Sequence, residues 1–327
     1  MRVYFEQMKG EFKRVLLRHG FTEPDACAGI FAQNSLDGIY THGLNRFPGF
    51  IQYIDEGWVK PGMKPVFVDG LGAIERWDGQ LGPGMLNAAF CMDRAMAVAA
   101  RHGIGCVAIR NNNHWMRGGT YGWQAAQAGF IGVCFTNTIA NLPPWGGIDP
   151  RLGNNPLVIA VPRTGGHVVL DMAMSQYAYG KLLVNRKSGE DLPVPGGYDN
   201  QGRLSTNAAA IIESGRALPA GFWKGSGLAL MLDLLASILS KGRTTADLSA
   251  DDKEWGVSQV FIAIRQDDDA TTQQITEKII AYAKSSRLTE DGRQVNYPGE
   301  GTLRTRNENQ KLGIPVDTDI WQQVLAL

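Results

Sequence analysis

From residue 64 onward, short β-rich runs alternate with helical stretches, and this alternation limits the fold more than any other feature. The runs read KPVFVDG, GAIERWDG, IGCVAIR, IGVCFTN, PLVIAVP, HVVLDMA and VSQVFIAIR. Between them the pattern predicts helices from about Pro83 to His102, from Gly225 to Ser240 as a buried helix, and from Thr272 to Arg287. Strands that alternate with helices usually form a sheet covered by helices. We therefore predict an α/β fold with a mixed sheet core.

The N-terminal 60 residues have a helical pattern instead. Gly20 is placed to end one amphipathic helix, and Thr22 with Asp25 forms a capping-box pattern for a second. Asn45 is predicted to cap a third helical segment, in which Pro48 falls in the first turn.

The C-terminal stretches NENQKLGI and TDIWQQVLAL are also amphipathic, so they can pack on the N-terminal helices. A chain of 327 residues is long enough for about two structural units. We predict that a helical N-terminal segment, residues 1–75, packs with the C-terminal segment, residues 300–327. The central region, residues 76–299, then forms the α/β part.

Composition excludes several classes of protein. Hydrophobic residues make up 44% and charged residues 20%, and Lys plus Arg balance Asp plus Glu at 32 each. The first residues lack the apolar core of a secretory signal, and the longest apolar run, GLALMLDLLASIL, is too short for a bilayer. Cys27, Cys91, Cys106 and Cys134 lack metal-site spacing and are interpreted as core residues. We expect a cytoplasmic protein that binds a small molecule, with no metal, nucleic acid or membrane partner.

The five histidines can be considered one at a time. His19 and His102 each precede a glycine at the end of a helical pattern, where a cation is stabilised by the helix dipole. His167 opens the strand HVVLDMA, and we interpret its side chain as a strand-end residue rather than part of a ligand groove. His42 and His114 remain as candidates for chemistry.

His42 lies in the stretch YTHGLNRFPGF, four residues before Arg46. On one helical turn, side chains four apart share a face. One interpretation is a solvated helix end, where two like charges repel slightly. The other is a site for an anionic carbonyl compound, in which His42 handles a proton and Arg46 binds the anion.

His114 lies in RNNNHWMRGGTYGW, directly after the strand IGCVAIR. Ligands in α/β proteins usually bind at loops that follow the carboxyl ends of strands. The loop either satisfies its own backbone or binds a ligand, and the sequence leaves both interpretations open. Arg117 in this loop is the second candidate, after Arg46, for binding an anion.

The two common phosphate-binding loops, G-x-G-x-x-G and G-x-x-x-x-G-K-[ST], do not occur in the sequence. Three other glycine-rich turns, RLGNNPL, FWKGSG and YPGEGTLR, can approach a cofactor backbone. Lys224 precedes the helix predicted from Gly225, and a helix N-terminus attracts phosphate. Each turn taken alone is a weak indication.

Seven separated motifs run in one order over nearly the whole chain: THGLNRF, RNNNHWMRGGTYGW, TNTIANLPPWGG, LGNNPL, LDMAMS, LPAGFWKGSGLALMLDLLA and YPGEG. Together they resemble the type 2 malate/L-lactate dehydrogenase family. The resemblance implies a non-Rossmann nicotinamide-binding fold, in agreement with the missing G-x-G-x-x-G. It also implies a homodimer with its active site near the subunit interface.

The resemblance assigns roles by position in these motifs. The family's proton donor corresponds to His42, while Arg46 suits a substrate carboxylate and His114 suits a substrate oxygen. The implied cofactor contacts are His167, Val168, Val169, Leu170, Asp171, Met172, Ala173, Trp223, Lys224, Gly299, Glu300 and Gly301.

The sequence therefore predicts a homodimeric reductase of a 2-keto acid that uses NADH, with NADPH also open. Alternatives with the same chemistry are a malate, lactate or ureidoglycolate dehydrogenase and a cyclic imine reductase. A nucleotide-binding protein without activity is an alternative of a different class. The presence of both His42 and Arg46 argues against that last alternative.

Overall fold

The computed structural model describes residues 1–251, 253–267, 269–290 and 292–327. Its strands are β1 (Arg2–Val3), β2 (Val66–Leu71), β3 (Ile74–Asp78), β4 (Ile104–Asn112), β5 (Phe130–Thr136), β6 (Ala140–Leu142), β7 (Leu152–Gly153), β8 (Leu157–Val161), β9 (Val168–Met172), β10 (Gly197–Tyr198), β11 (Leu204–Ser205), β12 (Val257–Arg265) and β13 (Ile314–Pro315). Its helices are α1 (Phe5–Arg18), α2 (Asp25–Leu36), α3 (Phe47–Asp55), α4 (Gly84–His102), α5 (Gly119–Gln127), α6 (Tyr179–Ser188), α7 (Ala208–Ser214), α8 (Trp223–Ser240), α9 (Thr245–Leu248), α10 (Ala270–Lys284), α11 (Glu300–Leu312) and α12 (Thr318–Ala326), with 3₁₀ turns at Tyr40–His42 and Leu44–Arg46.

Seven of the described strands form one sheet, in the order β2-β3-β4-β12-β5-β8-β9. β3 and β4 run parallel, and the other neighbouring strands in this order pair antiparallel. The parallel pair arises because α4 carries the chain from the end of β3 back to the start of β4, whereas β2–β3 is a hairpin. This arrangement confirms the predicted α/β fold with a mixed sheet core.

Helices cover both faces of this sheet because its strands send apolar side chains alternately to each face. On one face, Val107, Ile109 and Phe261 pack in a core with residues of α4 and α5. On the other face, Ala108 and Val260 pack in a core with residues of α8. Successive residues of β4 therefore contribute to different cores, and the centre of the sheet is buried between two layers of helices, while the edge strand β2 is mostly exposed.

The two ends of the chain share a further apolar core. Phe12 of α1 and Phe47 of α3 stack with ring centroids 4.2 Å apart, and Trp321 of α12 is buried in the same core. β1 also pairs antiparallel with β13. β2 and β3 belong to the central sheet, so the predicted boundary at residue 75 falls inside β3. The division of the chain into two units stays a prediction.

Two of the predicted helix caps are wrong. α2 follows Pro24 as its N-cap without a side-chain cap, so Thr22 and Asp25 form no capping box. Asn45 lies within the second 3₁₀ turn, and Arg46 is the N-cap of α3. The position of Pro48 in the first turn of α3 is confirmed.

Several single-residue interpretations are confirmed. His102 is the last residue of α4, and His19 is the C-cap of α1, where its Nδ1 lies 2.7 Å from Asp55 Oδ1. The four cysteines are free thiols in buried or partly buried positions. Within the described ranges, no helix combines the length and apolar character needed to cross a membrane.

Helix α8 is only half buried, although its sequence predicts a buried helix. Ala229, Leu232 and Ala236 pack against the sheet, while the opposite side of the helix is exposed. The exposed apolar side chains, here called the α8 face, are Trp223, Leu228, Leu230, Met231, Leu234, Leu235 and Ile238. Hydrophobicity alone could not distinguish a helix covered by its own chain from one with an apolar face left open.

Candidate active site

His42 and Arg46 each end one of the two 3₁₀ turns, so the single helical turn suggested by their spacing is wrong. Gly43 separates the turns, with φ −111° and ψ −121°. A Cβ at Gly43 would lie 2.2 Å from Ser35 Oγ, which explains why glycine is needed for this close approach to α2. Ser35 Oγ also accepts a hydrogen bond from Leu44 N at 2.9 Å. The turns are thus fixed on α2.

A buried asparagine holds the backbone of His42. Asn34 Nδ2 donates to the His42 carbonyl oxygen at 2.9 Å, and Asn34 Oδ1 accepts from the Thr120 hydroxyl at 2.9 Å. The ring of His42 has Thr41 Oγ1 at 3.1 Å from Nδ1. No hydrogen bond from a described residue reaches Nε2, so this nitrogen is available to a ligand.

The sequence left two interpretations of the stretch around His114: it satisfies its own polar groups, or it binds a ligand. Different residues of this stretch support each of them. Asn112 Nδ2 donates to Gln259 Oε1 at 2.7 Å within the sheet. Asn113 Nδ2 donates to three backbone carbonyl oxygens between residues 58 and 82, at 2.9–3.1 Å. Asn112 therefore bonds a side chain within the sheet and Asn113 satisfies backbone groups, while His114 follows them at the site.

His114 is fixed in one tautomer by its own loop. Met116 N donates to His114 Nδ1 at 3.0 Å. Burial, followed by the positive charge of Arg46, holds the pKa of His114 well below its usual range, so the ring is neutral at pH 7. A neutral imidazole has one N–H, and an accepting Nδ1 puts this proton on Nε2. His114 Nε2 is therefore a hydrogen-bond donor.

The rings of His42 and His114 stack with centroids 5.7 Å apart and planes 14° apart. Burial and then the charge of Arg46 lower the pKa of His42 to about 4, while the carboxylate of Asp171 acts in the opposite direction. The pKa of His42 in the free protein therefore lies below the unperturbed value of an imidazole. At pH 7 both imidazoles are neutral, and Arg46 supplies positive charge to the site.

A cavity of about 240 Å³ adjoins this cluster. Arg46, Asn113 and His114 form its polar wall. Its other lining residues are Gly49, Phe50, Gln52, Tyr53, Val59 and Met116. Small-molecule sites usually combine apolar walls with a few placed polar groups. The cavity thus offers a guanidinium and an imidazole N–H to a small anionic compound.

Glu254 is a residue of this site that sequence reasoning missed. Its side chain is 13% exposed, and Oε1 lies 4.0 Å from His114 Nε2. Burial raises the pKa of Glu254, while the hydrogen bond from Ile139 N and the charge of Arg46 act in the opposite direction. The stretch DDKEWG carries no motif that could have indicated this position.

Arg117 forms ion pairs with carboxylates of the protein itself. Its side chain is 5% exposed and forms an ion pair with Asp37, which also pairs with Arg306 at 2.6 and 2.8 Å. Arg117 Nε lies 3.6 Å from Asp171 Oδ2. Because its guanidinium is already held by two acids, Arg117 is a poor second candidate for binding a substrate anion.

The predicted cofactor segment 167–173 contains β9, at the edge of the sheet. Val169 N donates to Pro298 O at 2.9 Å, so the turn before α11 runs along the open side of β9. Gly299 has φ 94°, and a Cβ there would lie 3.1 Å from Val169 N. The fold therefore brings residues 167–173 and 299–301 together.

Side chains within this segment have different surroundings. Asp171 Oδ2 accepts from Gly119 N at 2.8 Å, and Val169 is buried in the core under α5. His167 Nδ1 accepts from Arg163 N at 3.2 Å. The interpretation of the His167 side chain as a strand-end residue is therefore supported.

The other end of β9 leads to Trp223 and Lys224. Ala220 N donates to Met174 O at 2.8 Å, just beyond the strand. This contact joins the end of β9 to the segment that begins α8, where Trp223 and Lys224 are both exposed. All three predicted cofactor segments therefore adjoin β9 or its immediate extension.

A second cavity of about 210 Å³ lies between β9, α10 and the turn before α11. Its walls are mainly apolar, with Tyr297 as an aromatic surface and Lys284 as a cation. Lys284 Nζ lies 2.5 Å from Glu300 Oε1. The cavity is thus next to two of the predicted cofactor segments.

Comparison with known proteins gives consistent similarities. A 2,3-diketo-L-gulonate reductase of Citrobacter koseri is 46% identical, with 100% of both chains covered. The solved sulfolactate dehydrogenase of Methanocaldococcus jannaschii is 29% identical with a TM-score of 0.88, over 99% of this chain and 95% of that one. The solved malate dehydrogenase of Pyrococcus horikoshii is 29% identical with a TM-score of 0.84, over 99% and 93%.

The family comparison covers almost the whole sequence. A family model described as malate/L-lactate dehydrogenase matches residues 3–325. The match confirms the resemblance seen in the seven motifs, and the solved relatives share the fold built around the mixed sheet. The chain therefore belongs to the malate/L-lactate dehydrogenase family.

Proposed function

We propose that this protein reduces the carbonyl group of a 2-keto acid, with 2,3-diketo-L-gulonate as substrate and NADH as hydride donor. The observation that carries this proposal is the cluster of His42, His114 and Arg46 beside the cavity of about 240 Å³. The substrate is taken from relatives that are 46% identical over their full length and are named 2,3-diketo-L-gulonate reductases.

Each residue of the cluster has one role. Arg46 binds the substrate carboxylate, since its planar guanidinium can donate two parallel hydrogen bonds. His114 donates from Nε2 to a substrate oxygen. His42 gives a proton to the carbonyl oxygen as a hydride reaches the carbonyl carbon. In sum, the keto acid, NADH and one proton yield the hydroxy acid and NAD⁺.

The low pKa of His42 fits this reaction when the substrate is considered. The charge of Arg46 is one cause of the lowered pKa of His42. A carboxylate bound to Arg46 offsets this charge, so the anionic substrate raises the pKa of His42. The proton is therefore acquired together with the substrate, and Asp171 favours the same charged state. In the reverse direction, neutral His42 is ready to accept the proton.

The residues around β9 fit a nicotinamide dinucleotide. The N-terminus of α11 presents backbone N–H groups, and Lys224 at the start of α8 adds a positive charge for phosphate. Gly299 lets the turn approach β9 closely, and the second cavity accommodates a planar base. When bound, NADH supplies the hydride. An enzyme that draws on NADH suits the cytoplasm, and that location stays a prediction.

We propose that the active form is a homodimer joined through the α8 face. Trp223 and Ile238, at the two ends of this face, are 65% and 66% exposed in the single chain. Large contiguous apolar patches usually mark contact surfaces. A second copy is the occupant we favour because the face begins at Trp223, beside Lys224, which places the proposed interface next to the proposed cofactor segments.

Replacing His42 with Ala should lower kcat/KM for 2,3-diketo-L-gulonate by about a hundredfold or more, because the proton donor is lost. In the wild type, kcat/KM for reduction should fall as pH rises from about 5 to about 8, since the acid form becomes scarcer above a pKa of about 4. Oxidation of the hydroxy acid should not fall over that range. NADH absorbance measures both directions, with His102→Ala as the control.

A panel of 2-keto acids and cyclic imines, each assayed with NADH and NADPH, tests the function itself. The proposed substrate would be replaced if the enzyme preferred the malate, lactate or ureidoglycolate couple. It would also be replaced if the enzyme preferred a cyclic imine. Near-normal turnover by His42→Ala would remove its assignment as proton donor.

Replacing Arg46 with Lys should lower kcat/KM for the keto acid about tenfold to a hundredfold, because a point charge replaces a bidentate donor. This corresponds to about 1.5 to 3 kcal/mol for hydrogen bonds to a charged group. For an analogue with an uncharged amide in place of the carboxylate, the same replacement should lower kcat/KM much less. Equal losses for acid and amide would show that Arg46 supports the local structure instead.

Replacing Lys224 with Ala should weaken NADH binding, and the loss should shrink at high salt because ions screen the charge. NADH fluorescence titration at low and high ionic strength measures both effects. Lys64→Ala, at a residue whose side chain is 84% exposed, is the matched control. Unchanged NADH affinity in the Lys224 variant would require another cation at the phosphates.

Placing Asp at both Leu234 and Ile238 should convert a dimer to monomers, since two charges per chain would be buried in the α8 face. Light scattering measures the mass against the 35.6 kDa of one chain. Leu17→Asp changes an exposed apolar side chain on α1 and should leave the dimer intact. A wild-type protein that stays monomeric at micromolar concentration would contradict the proposal.

A further inference from the structure

Glu254 has no role in the reaction proposed above, although its carboxylate lies next to His114, which lines the substrate cavity. Among the described residues, one hydrogen bond reaches it, from Ile139 N to Oε2 at 3.2 Å. Its Oε1 lies 4.0 Å from His114 Nε2, which is too far for a direct hydrogen bond. His114 lines the cavity, so a ligand group that binds to His114 Nε2 is brought toward Glu254 Oε1.

The gap between these two atoms matches one hydroxyl group. Two hydrogen bonds of about 2.8 Å that meet at one oxygen span about 4 to 5 Å. His114 Nε2 carries a proton because Nδ1 accepts from Met116 N. An oxygen in the gap must therefore accept from His114 and donate to Glu254. The hydrogen bond from Ile139 N and the charge of Arg46 favour the ionised form of Glu254 against the effect of burial. A hydroxyl group suits this form, whereas a carbonyl oxygen only accepts and a carboxylate is repelled by the ionised Glu254.

We propose that Glu254 and His114 form a specificity subsite that accepts a hydroxyl group of the 2-keto acid and rejects a second carboxylate. This inference rests on the proposed function. Arg46 attracts the first carboxylate, while Glu254 acts against any further anion, so attraction and repulsion are both used for selection. The substrate class is then a hydroxylated keto acid with one carboxylate, and dicarboxylates such as oxaloacetate are disfavoured.

The test compares kcat/KM for matched substrates: 3-hydroxypyruvate with pyruvate, 4-hydroxy-2-ketobutyrate with 2-ketobutyrate, and oxaloacetate with pyruvate. The wild type should prefer the hydroxylated member of at least one pair by about tenfold or more. In Glu254→Met, the ratio of kcat/KM for the hydroxylated substrate to kcat/KM for its partner should be close to one. Glu254→Gln keeps an accepting oxygen but removes the charge, so it should retain part of the preference and raise the oxaloacetate-to-pyruvate ratio. Glu23→Gln, at an 86% exposed carboxylate, is the control.

If Glu254 had a purely structural role, its replacement would lower kcat/KM for all substrates together and leave these ratios unchanged. That outcome would overturn the subsite. A wild type without preference for either hydroxylated substrate would overturn it as well. If Glu254→Met does not fold, the nearly isosteric Glu254→Gln still tests the subsite. Its hydroxylated-to-plain substrate ratio should fall, and its oxaloacetate-to-pyruvate ratio should rise. Wild-type protein that oxidises neither NADH nor NADPH with any keto acid would instead refute the proposed function.

Discussion

The buried carboxylate of Asp37 connects the parts of the protein that form the site. It belongs to the end of α2, and it pairs with Arg117 in the loop after β4 and with Arg306 of α11. Arg117 in turn approaches Asp171 of β9. Removing one partner from a buried ion pair leaves an uncompensated charge, at a cost of about 3 to 5 kcal/mol. The helix that carries the His42 turns is thereby held in a fixed relation to the strand expected to bind the cofactor.

Within this frame, one exposed cation governs the electrostatics of the site. The charge of Arg46 lowers the pKa of His42, His114 and Glu254 together. Whatever neutralises Arg46 therefore changes the protonation of its neighbours, and by linkage a proton on His42 strengthens the binding of an anion. A substrate carboxylate at Arg46 and a proton at His42 favour each other, which suits a reaction that consumes both. The neutral His114, fixed by Met116, keeps its donor on Nε2 while this exchange takes place.

The sequence predicted those parts of the site whose signal is local. The stretch YTHGLNRFPGF indicated His42 and Arg46, and the loop after β4 indicated His114, because unusual polar residues stand next to strand or helix ends in the chain itself. The sequence could not indicate Glu254, which reaches His114 only because the segment before β12 folds back over the loop after β4. Nor could the sequence indicate the lowered pKa of His42, since a pKa depends on burial and on neighbouring charges that a sequence does not display.

The sequence by itself determined the family, the α/β class and most strands, because periodicity of apolar residues and turn-forming glycines act over a few neighbouring residues. Only the tertiary structure decided the order of the sheet, with β12 inserted between β4 and β5, and the half-open state of α8. It also decided that Arg117 is a buried structural cation whereas Arg46 lines the cavity without an ion-pair partner among the described residues. The reason is physical: which strand pairs with which, and which charge finds a partner, depends on segments far apart in the chain. Their contacts exist only after the chain has packed.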